Sequence, residues 1–309
     1  MHRWEELMES CLKEDEAKGL SGETIDTRRR ELTRCGQWLR RRRPKPVLDV
    51  LDGQMLISYI RWRSMFKAKS TVAGTISILK RMGEYLVVRG LWRKNPMRWI
   101  RGPKIDIRAR LPRRIRGSDL VSIWKAAEGI TSNRRRMKWR AVFALLYATG
   151  LRRAQLAALD VDDLDLMGGR IRIKGIKGGR DHMVPIAQEV CDCLSSYMVE
   201  RKKILAGKGL EEPKALFVTP DGRRQTGPCM SVGVKRIVNS AGLERITMHQ
   251  FRHTCASDLL ARGVHLPEVQ HILGHTSIGS TMWYLSVSDE SRKEAIAKHP
   301  INDILEDNA

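Results

Sequence analysis

Residues 247–263 read TMHQFRHTCASDLLARG. Thr247 is placed to cap a helix that runs to about Arg262, where Gly263 stops it. On that helix His249 and Arg252 lie three residues apart and share a face, and His253, four from His249, can join them. Arg252 offers a planar fork of donors suited to phosphate. His249 beside it can donate to a phosphoryl oxygen or move a proton. Taken alone, the stretch fits equally well an ordinary helix with a polar face.

Working outward, the upstream run ATGLRRAQLAAL covers residues 148–159. Trp139, Val142, Phe143, Leu146 and Tyr147 mark the buried face of the helix before it, and Gly150 stops that helix. Arg152 then follows a glycine turn, so its side chain can reach a cleft from the start of the next helix, while Arg153 faces solvent. The pattern RIRIK over Arg170–Lys174 alternates as a strand, and HMVPI over His182–Ile186 is a second, joined by the turn GIKGG. Lys177 sits in that turn. Helical spacing resumes over 187–205 and 228–241, and Ser118 is the expected cap where the second half of the chain begins. Downstream, HILGHTSIGSTMWYLSV (271–287) places His275 after a helix-ending Gly274 and Tyr284 nine residues on. A free phenol has a pKa of about 10, so Tyr284 becomes a nucleophile only where cations and a proton acceptor stabilise its phenolate.

Charge is the strongest compositional signal. The 309 residues hold 57 Lys and Arg against 35 Asp and Glu, a net charge of +22. Apolar residues make up 42%, enough for globular cores and too much for a disordered polycation. Such a chain calls for a polyanionic partner, with nucleic acid first. At roughly 150 residues per domain the length suggests two. Residues 1–116 carry 29 basic and 13 acidic side chains, a net of +16, against 28 and 22, a net of +6, over 117–309. The first third reads as all-helical, with apolar stripes such as Leu56, Ile57, Ile60 and Ile76, Leu79, Met82, Leu86. Its Arg40, Arg41, Arg42 and Arg43 are candidate DNA contacts. Residues 103–117 read as a basic, proline-bearing linker whose Arg110, Arg113 and Arg114 can track a phosphate backbone. The six cysteines are scattered and match no zinc spacing, so they read as buried thiols of a cytoplasmic protein. No apolar run reaches the roughly 18 residues of a membrane span, and the N-terminal MHRWEELMES is unlike a signal peptide.

Metal and nucleotide chemistry find no support. His249 with His253, and His271 with His275, have i,i+4 spacing, but neither pair has the glutamate of H-E-x-x-H. Neither G-x-x-x-x-G-K-[ST] nor a strand-following G-x-G-x-x-G occurs. No cofactor and no metal are expected.

The ordered set Arg…Lys…His-x-x-Arg…His…Tyr, in ATGLRRAQLAAL, IKGIKGGRDHMVPI and the run from Met248 to Tyr284, resembles the tyrosine recombinase (phage integrase) family, Xer-like members included. The resemblance spans about residues 1–290 and is most specific over 247–284. It implies a mainly α fold with a small β-sheet: an all-helical, SAM-like core-binding domain over 1–102, the linker over 103–117, and an α+β catalytic domain over 118–288. By position Arg152 resembles the first catalytic arginine, Lys177 the hairpin lysine (Lys174 the alternative), His249 and Arg252 the H-x-x-R pair, His275 the His/Trp position and Tyr284 the nucleophile. Gln155 departs from the acidic residue common three positions after the first arginine. His253 takes a structural role.

The resemblance implies a site-specific DNA recombinase that cuts and rejoins strands through a 3′-phosphotyrosyl link without metal or ATP. It implies double-stranded DNA with specific sites as the partner, a homo-tetramer on two duplexes, room for a related recombinase as co-partner, and a cytoplasmic, nucleoid-associated protein with no membrane role. Type IB topoisomerase-like or resolvase activity, and a non-catalytic DNA-binding regulator, are the alternatives. The tail over 289–309 is acidic. It either contacts a neighbouring protomer, or packs on its own domain or frays.

Overall fold

The computed structural model describes residues 2–42, 53–104, 114–175, 180–207, 209 and 213–274. The chain divides into two compact units, Met1–Arg110 and Leu111–Ala309. Among the described residues, none of the helices is long and apolar enough to cross a membrane.

In the first unit the described residues form four helices: α1 (His2–Ala17), α2 (Gly22–Arg40), α3 (Gly53–Phe66) and α4 (Lys69–Val88). The apolar stripe of α4 turns inward as its spacing requires, and Ile76, Leu79, Met82 and Leu86 are all buried. On α3 Leu56 is buried, while Ile57 and Ile60 are only half-buried. Trp4 lies across α2, its indole N–H donating to the Leu32 carbonyl at 3.1 Å. Gly36 makes this possible, since a Cβ there would stand 2.7 Å from the Trp4 ring.

A polar knot sits inside these apolar contacts. The buried Glu31 carboxylate on α2 accepts from Arg63 Nε at 2.9 Å and Nη2 at 2.8 Å, from Tyr59 Oη at 2.8 Å and from Thr75 Oγ1 at 2.9 Å. Burial opposes its ionisation, but hydrogen bonds from Arg63, Tyr59 and Thr75 outweigh burial and hold the carboxyl below its usual range. One side chain thereby links α2, α3 and α4.

The second unit holds α5 (Gly117–Glu128), α6 (Asn133–Thr149), α7 (Arg153–Ala158), a 3-10 turn (Val161–Asp163), β1 (Leu164–Asp165), β2 (Arg170–Ile173), β3 (His182–Pro185), α8 (Gln188–Ala206), α9 (Gly227–Ser240), α10 (Met248–Ala261) and α11 (Leu266–Leu273). Trp139, Val142, Phe143 and Leu146 of α6 are buried in its core. The antiparallel sheet has the order β1-β2-β3, with Ile171 opposite Val184 and Ile173 opposite His182. Ile171, Ile173 and Val184 point into the core, and the arginines between them point out. The fold is mainly helical with a small sheet, as the sequence implied.

Three local expectations are corrected. Arg116, not Ser118, caps α5. The chain is already anchored at Ile115, which is buried and whose N–H donates to Thr254 Oγ1 at 2.9 Å, so the helix starts a turn-fraction earlier. Tyr147 is exposed rather than buried, because its hydroxyl donates to Asp258 Oδ2 at 2.7 Å at the edge of the α6 stripe. Cys229 is exposed in the first turn of α9, whereas the other five cysteines are buried.

Removing the charge of Glu31 leaves the buried Arg63 guanidinium without a counter-ion, a loss that typically costs about 3–5 kcal/mol. Glu31→Gln is therefore expected to lower the urea midpoint of the full-length chain. An unfolding free energy within about 1 kcal/mol of the parent would show that the knot is dispensable.

Candidate functional site

Two left-handed glycine turns frame the site. Gly150 ends α6 with φ 59° and ψ 29°, and Gly274 ends α11 with φ 62° and ψ 47°. Neither tolerates a side chain. A Cβ on Gly150 would stand 2.5 Å from Leu273 Cδ2, and one on Gly274 would stand 2.5 Å from the His182 ring. The two turns therefore pack tightly, Gly150 against Leu273 and Gly274 against β3.

Arg252 joins them. It is 2% exposed, and its Nη1 donates to the Gly150 carbonyl at 2.8 Å while Nη2 donates to the Leu273 carbonyl at 2.8 Å. These bonds use two of the five N–H donors a guanidinium carries. The sequence pattern reads Arg252 as a planar fork of donors suited to phosphate. The structure buries it as the tie between the turn before Arg152 and the turn before His275.

Arg152 is the N-cap residue of α7. Its backbone N–H donates to Gln155 Oε1 at 3.0 Å, and Gln155 Nε2 reaches the Lys174 carbonyl at 3.4 Å. Gln155 is buried, so the departure from an acidic residue has a physical content. An amide serves a donor and an acceptor at once, whereas an ionised carboxylate facing the Lys174 carbonyl would be repelled.

His249 and His253 ride on α10, whose cap Thr247 donates its backbone N–H to Gln250 Oε1 at 2.8 Å. Their rings meet edge to face with centroids 4.5 Å apart. His249 is exposed on one side, yet the protein packed on its other side and the charges of Arg252 and Arg152 hold its pKa below the usual histidine value. Burial, His249 and Arg252 push His253 further, down to about 4. Arg152, His249 and Arg252 are thus brought together, and burial with the two guanidinium charges disfavours a proton on His249.

Lys174 is held elsewhere. Its ammonium pairs with Asp160 Oδ2 at 2.5 Å and Asp163 Oδ2 at 3.2 Å, and Asp163 also pairs with Arg172 while Asp160 pairs with Arg224. This lattice clamps the base of the β2–β3 hairpin. Lys177, His275 and Tyr284 lie outside the described residues. So do Arg43, Arg110 and Arg113 of the candidate DNA contacts. Of the others, Arg40 pairs with Glu5, Arg42 lies 4.0 Å over the Trp38 ring, Arg41 is exposed, and Arg114 pairs with Asp258 at 2.5 Å while staying more than half exposed.

His182 was not singled out by the sequence. Its ring lies against Gly274 and edge-on to His271 at 5.7 Å, with Nε2 buried and no hydrogen-bond partner among the described residues. The sequence showed it only as the first residue of the second strand; its place opposite Ile173 emerges from the fold. Among the described residues no group of three or more His, Cys, Asp or Glu is placed to hold a metal.

The sequence profile described as the phage integrase family matches residues 113–291. The tyrosine recombinase XerC of Roseiflexus castenholzii is 34% identical over 89% of this chain and 86% of its own length. The structure of the XerH site-specific recombinase in a post-cleavage complex on palindromic difH superposes with a TM-score of 0.74 at 22% identity, covering 96% of this chain and 84% of that one. That of a lambda integrase tetramer on a Holliday junction gives 0.69 at 17%, covering 92% and 76%. At these identities the solved structures speak for the fold.

The His253 shift fixes a sign for stability. Its folded pKa of about 4 lies below the ordinary value of 6.5, so the unfolded chain binds the proton more readily and stability falls as pH drops from 6.5 toward 4. His253→Asn is expected to flatten that part of a melting-temperature profile against pH. An unchanged slope would contradict the burial of a neutral ring.

Proposed function

The chain belongs to the phage integrase family as a Xer-like tyrosine recombinase, an enzyme of site-specific DNA recombination, and we propose how its own residues carry out the strand exchange. Tyr284 attacks a phosphodiester of the target site. The phosphorus–tyrosyl oxygen bond forms, the bond to the 5′ oxygen breaks, and a 3′-phosphotyrosyl link and a 5′-hydroxyl result. His249 accepts the phenol proton. Lys177 gives a proton to the leaving 5′ oxygen. Arg152 and Arg252 meet the charge that gathers on the non-bridging oxygens, and His275 donates to the same phosphate. Losing one such donor typically costs about 2.7–4 kcal/mol of barrier.

One observation carries this reading. The buried Arg252 guanidinium ties the carbonyls of Gly150 and Leu273, and two residues beyond each lie Arg152 and His275. The turns that precede Arg152 and His275 in the chain therefore depend on a single cation. The lowered pKa of His249 supports its part as a base, since a protonated imidazole could accept nothing. The engagement of Lys174 by Asp160 and Asp163 favours Lys177 as the acid.

The reverse reaction rejoins the strands. The phosphotyrosyl bond conserves the energy of the broken diester, so no nucleotide cofactor is consumed, and two arginines, a lysine and two histidines supply the charge and proton transfers. The first unit, with the basic stretch after it, grips duplex DNA through phosphate contacts, which makes binding steeply salt-dependent. By likeness to the lambda integrase tetramer, four protomers act on two duplexes, and a related recombinase is an admissible partner. Such work places the protein on DNA in the cytoplasm.

Tyr284→Phe is expected to abolish covalent adducts on a nicked suicide duplex while leaving duplex binding within about twofold. Covalent adducts that persist in this variant would displace Tyr284 as the nucleophile. Adduct formation by the parent chain should also fall in acid, with its midpoint below that of an ordinary histidine.

A further inference from the structure

A second cationic site lies far from the first. Along α6, Lys138 is eleven residues before Thr149, where the helix ends three residues short of Arg152, about 16 Å at 1.5 Å per residue. There a cleft of about 590 Å³ opens between the first turns of α6, the end of α8 and one face of α9. Arg134, Arg135, Lys138 and Arg236 line it, over apolar walls that include Ile130 and Val232.

The charges in this cleft are unbalanced. Most cations whose pairing is established elsewhere in the chain meet a carboxylate, as Arg63, Arg81, Arg172 and Lys174 do. None of the four in the cleft pairs with one among the described residues. Lys138 donates to the neutral Gln225 Oε1 at 3.2 Å and lies 5.4 Å from the Trp139 ring. Burial, then Arg134 and Arg135, lower its pKa to about 8. Moreover, the first turn of α6 carries three arginines and no acidic residue. A helix start favours anions and disfavours cations, so this arrangement costs stability until an anion arrives.

We propose that this cleft is a binding site for a small phosphorylated molecule carrying at least two phosphate charges, with Lys138, Arg134, Arg135 and Arg236 as its ligands. The volume falls in the range of small-molecule pockets, about 300–1,000 Å³. A concave site of that size encloses a pyrophosphate or nucleoside diphosphate, whereas a duplex, being convex, meets only its rim. The site is separate from the strand-exchange residues, and its test does not depend on recombination.

The probe is Lys138 itself. The full chain is acetylated with a limiting amine-reactive ester near pH 8, and each lysine is quantified by peptide mass spectrometry. Lys138 is expected to react faster than the exposed Lys235 on the neighbouring α9. ADP or pyrophosphate below about 1 mM should slow Lys138 at least about tenfold at fixed ionic strength and leave Lys235 unchanged. In the folded double variant Arg134→Gln/Arg135→Gln that protection should disappear. Protection that matches sodium chloride of equal ionic strength, or that spreads over all lysines, would overturn the proposal. So would protection by short duplex DNA where ADP gives none, which would assign the cleft to the DNA surface.

Discussion

The second unit turns on one buried cation. A guanidinium taken out of water needs its donors satisfied, and Arg252 meets the carbonyls of Gly150 and Leu273 as part of that requirement. Both carbonyls sit at helix ends, where backbone acceptors lack intrahelical partners. The helix ends gain donors, and the cation gains the negative ends of two helix dipoles, α6 and α11. Structure and the proposed chemistry thus draw on the same residue. The side chain that completes the folding of two turns also holds the turn that leads into Arg152. A lysine at this place could satisfy one carbonyl but lacks the rigid fork that spans two.

A similar economy governs the acidic side chains. Against a net charge of +22, the buried carboxylates are committed inward. Glu31 is saturated by Arg63, Tyr59 and Thr75, Asp15 by Arg28 and Arg81, and Asp163 by Arg172 and Lys174. The surplus of positive charge is left for the surface. The salt dependence expected of DNA binding and the stability of the cores therefore rest on different charges.

Much of this was legible in the sequence, for physical reasons that differ by residue. Helix ends were readable where a special backbone conformation forces a residue type, as at Gly150, Gly263 and Gly274, all with positive φ. The hairpin strands were readable from alternation, since Ile171 and Ile173 face one way and Arg170 and Arg172 the other. The shared environment of His249 and Arg252 followed from helical spacing. What the spacing could not reveal was long-range: that Arg252 faces inward, that Lys174 is taken by Asp160 and Asp163, that Ile115 rather than Ser118 sets the entry to α5, and that His182 packs on Gly274. Each depends on a partner between 11 and 139 residues away, and no local pattern encodes such a partner. Tyr147 shows the reverse failure, a residue at the edge of an apolar stripe that a single hydrogen bond draws outward.

Gln155 has one more implication. It couples the start of α7 to the end of β2 through an amide, a group that neither gains nor loses a proton in water. Had a carboxyl stood there, acidification would have altered the strength of that coupling and with it the seating of the hairpin. With an amide the joint is proton-blind. Acid sensitivity at this end of the protein then resides in its imidazoles and in the Asp160 and Asp163 carboxylates that pair with Lys174, not in the joint at Gln155.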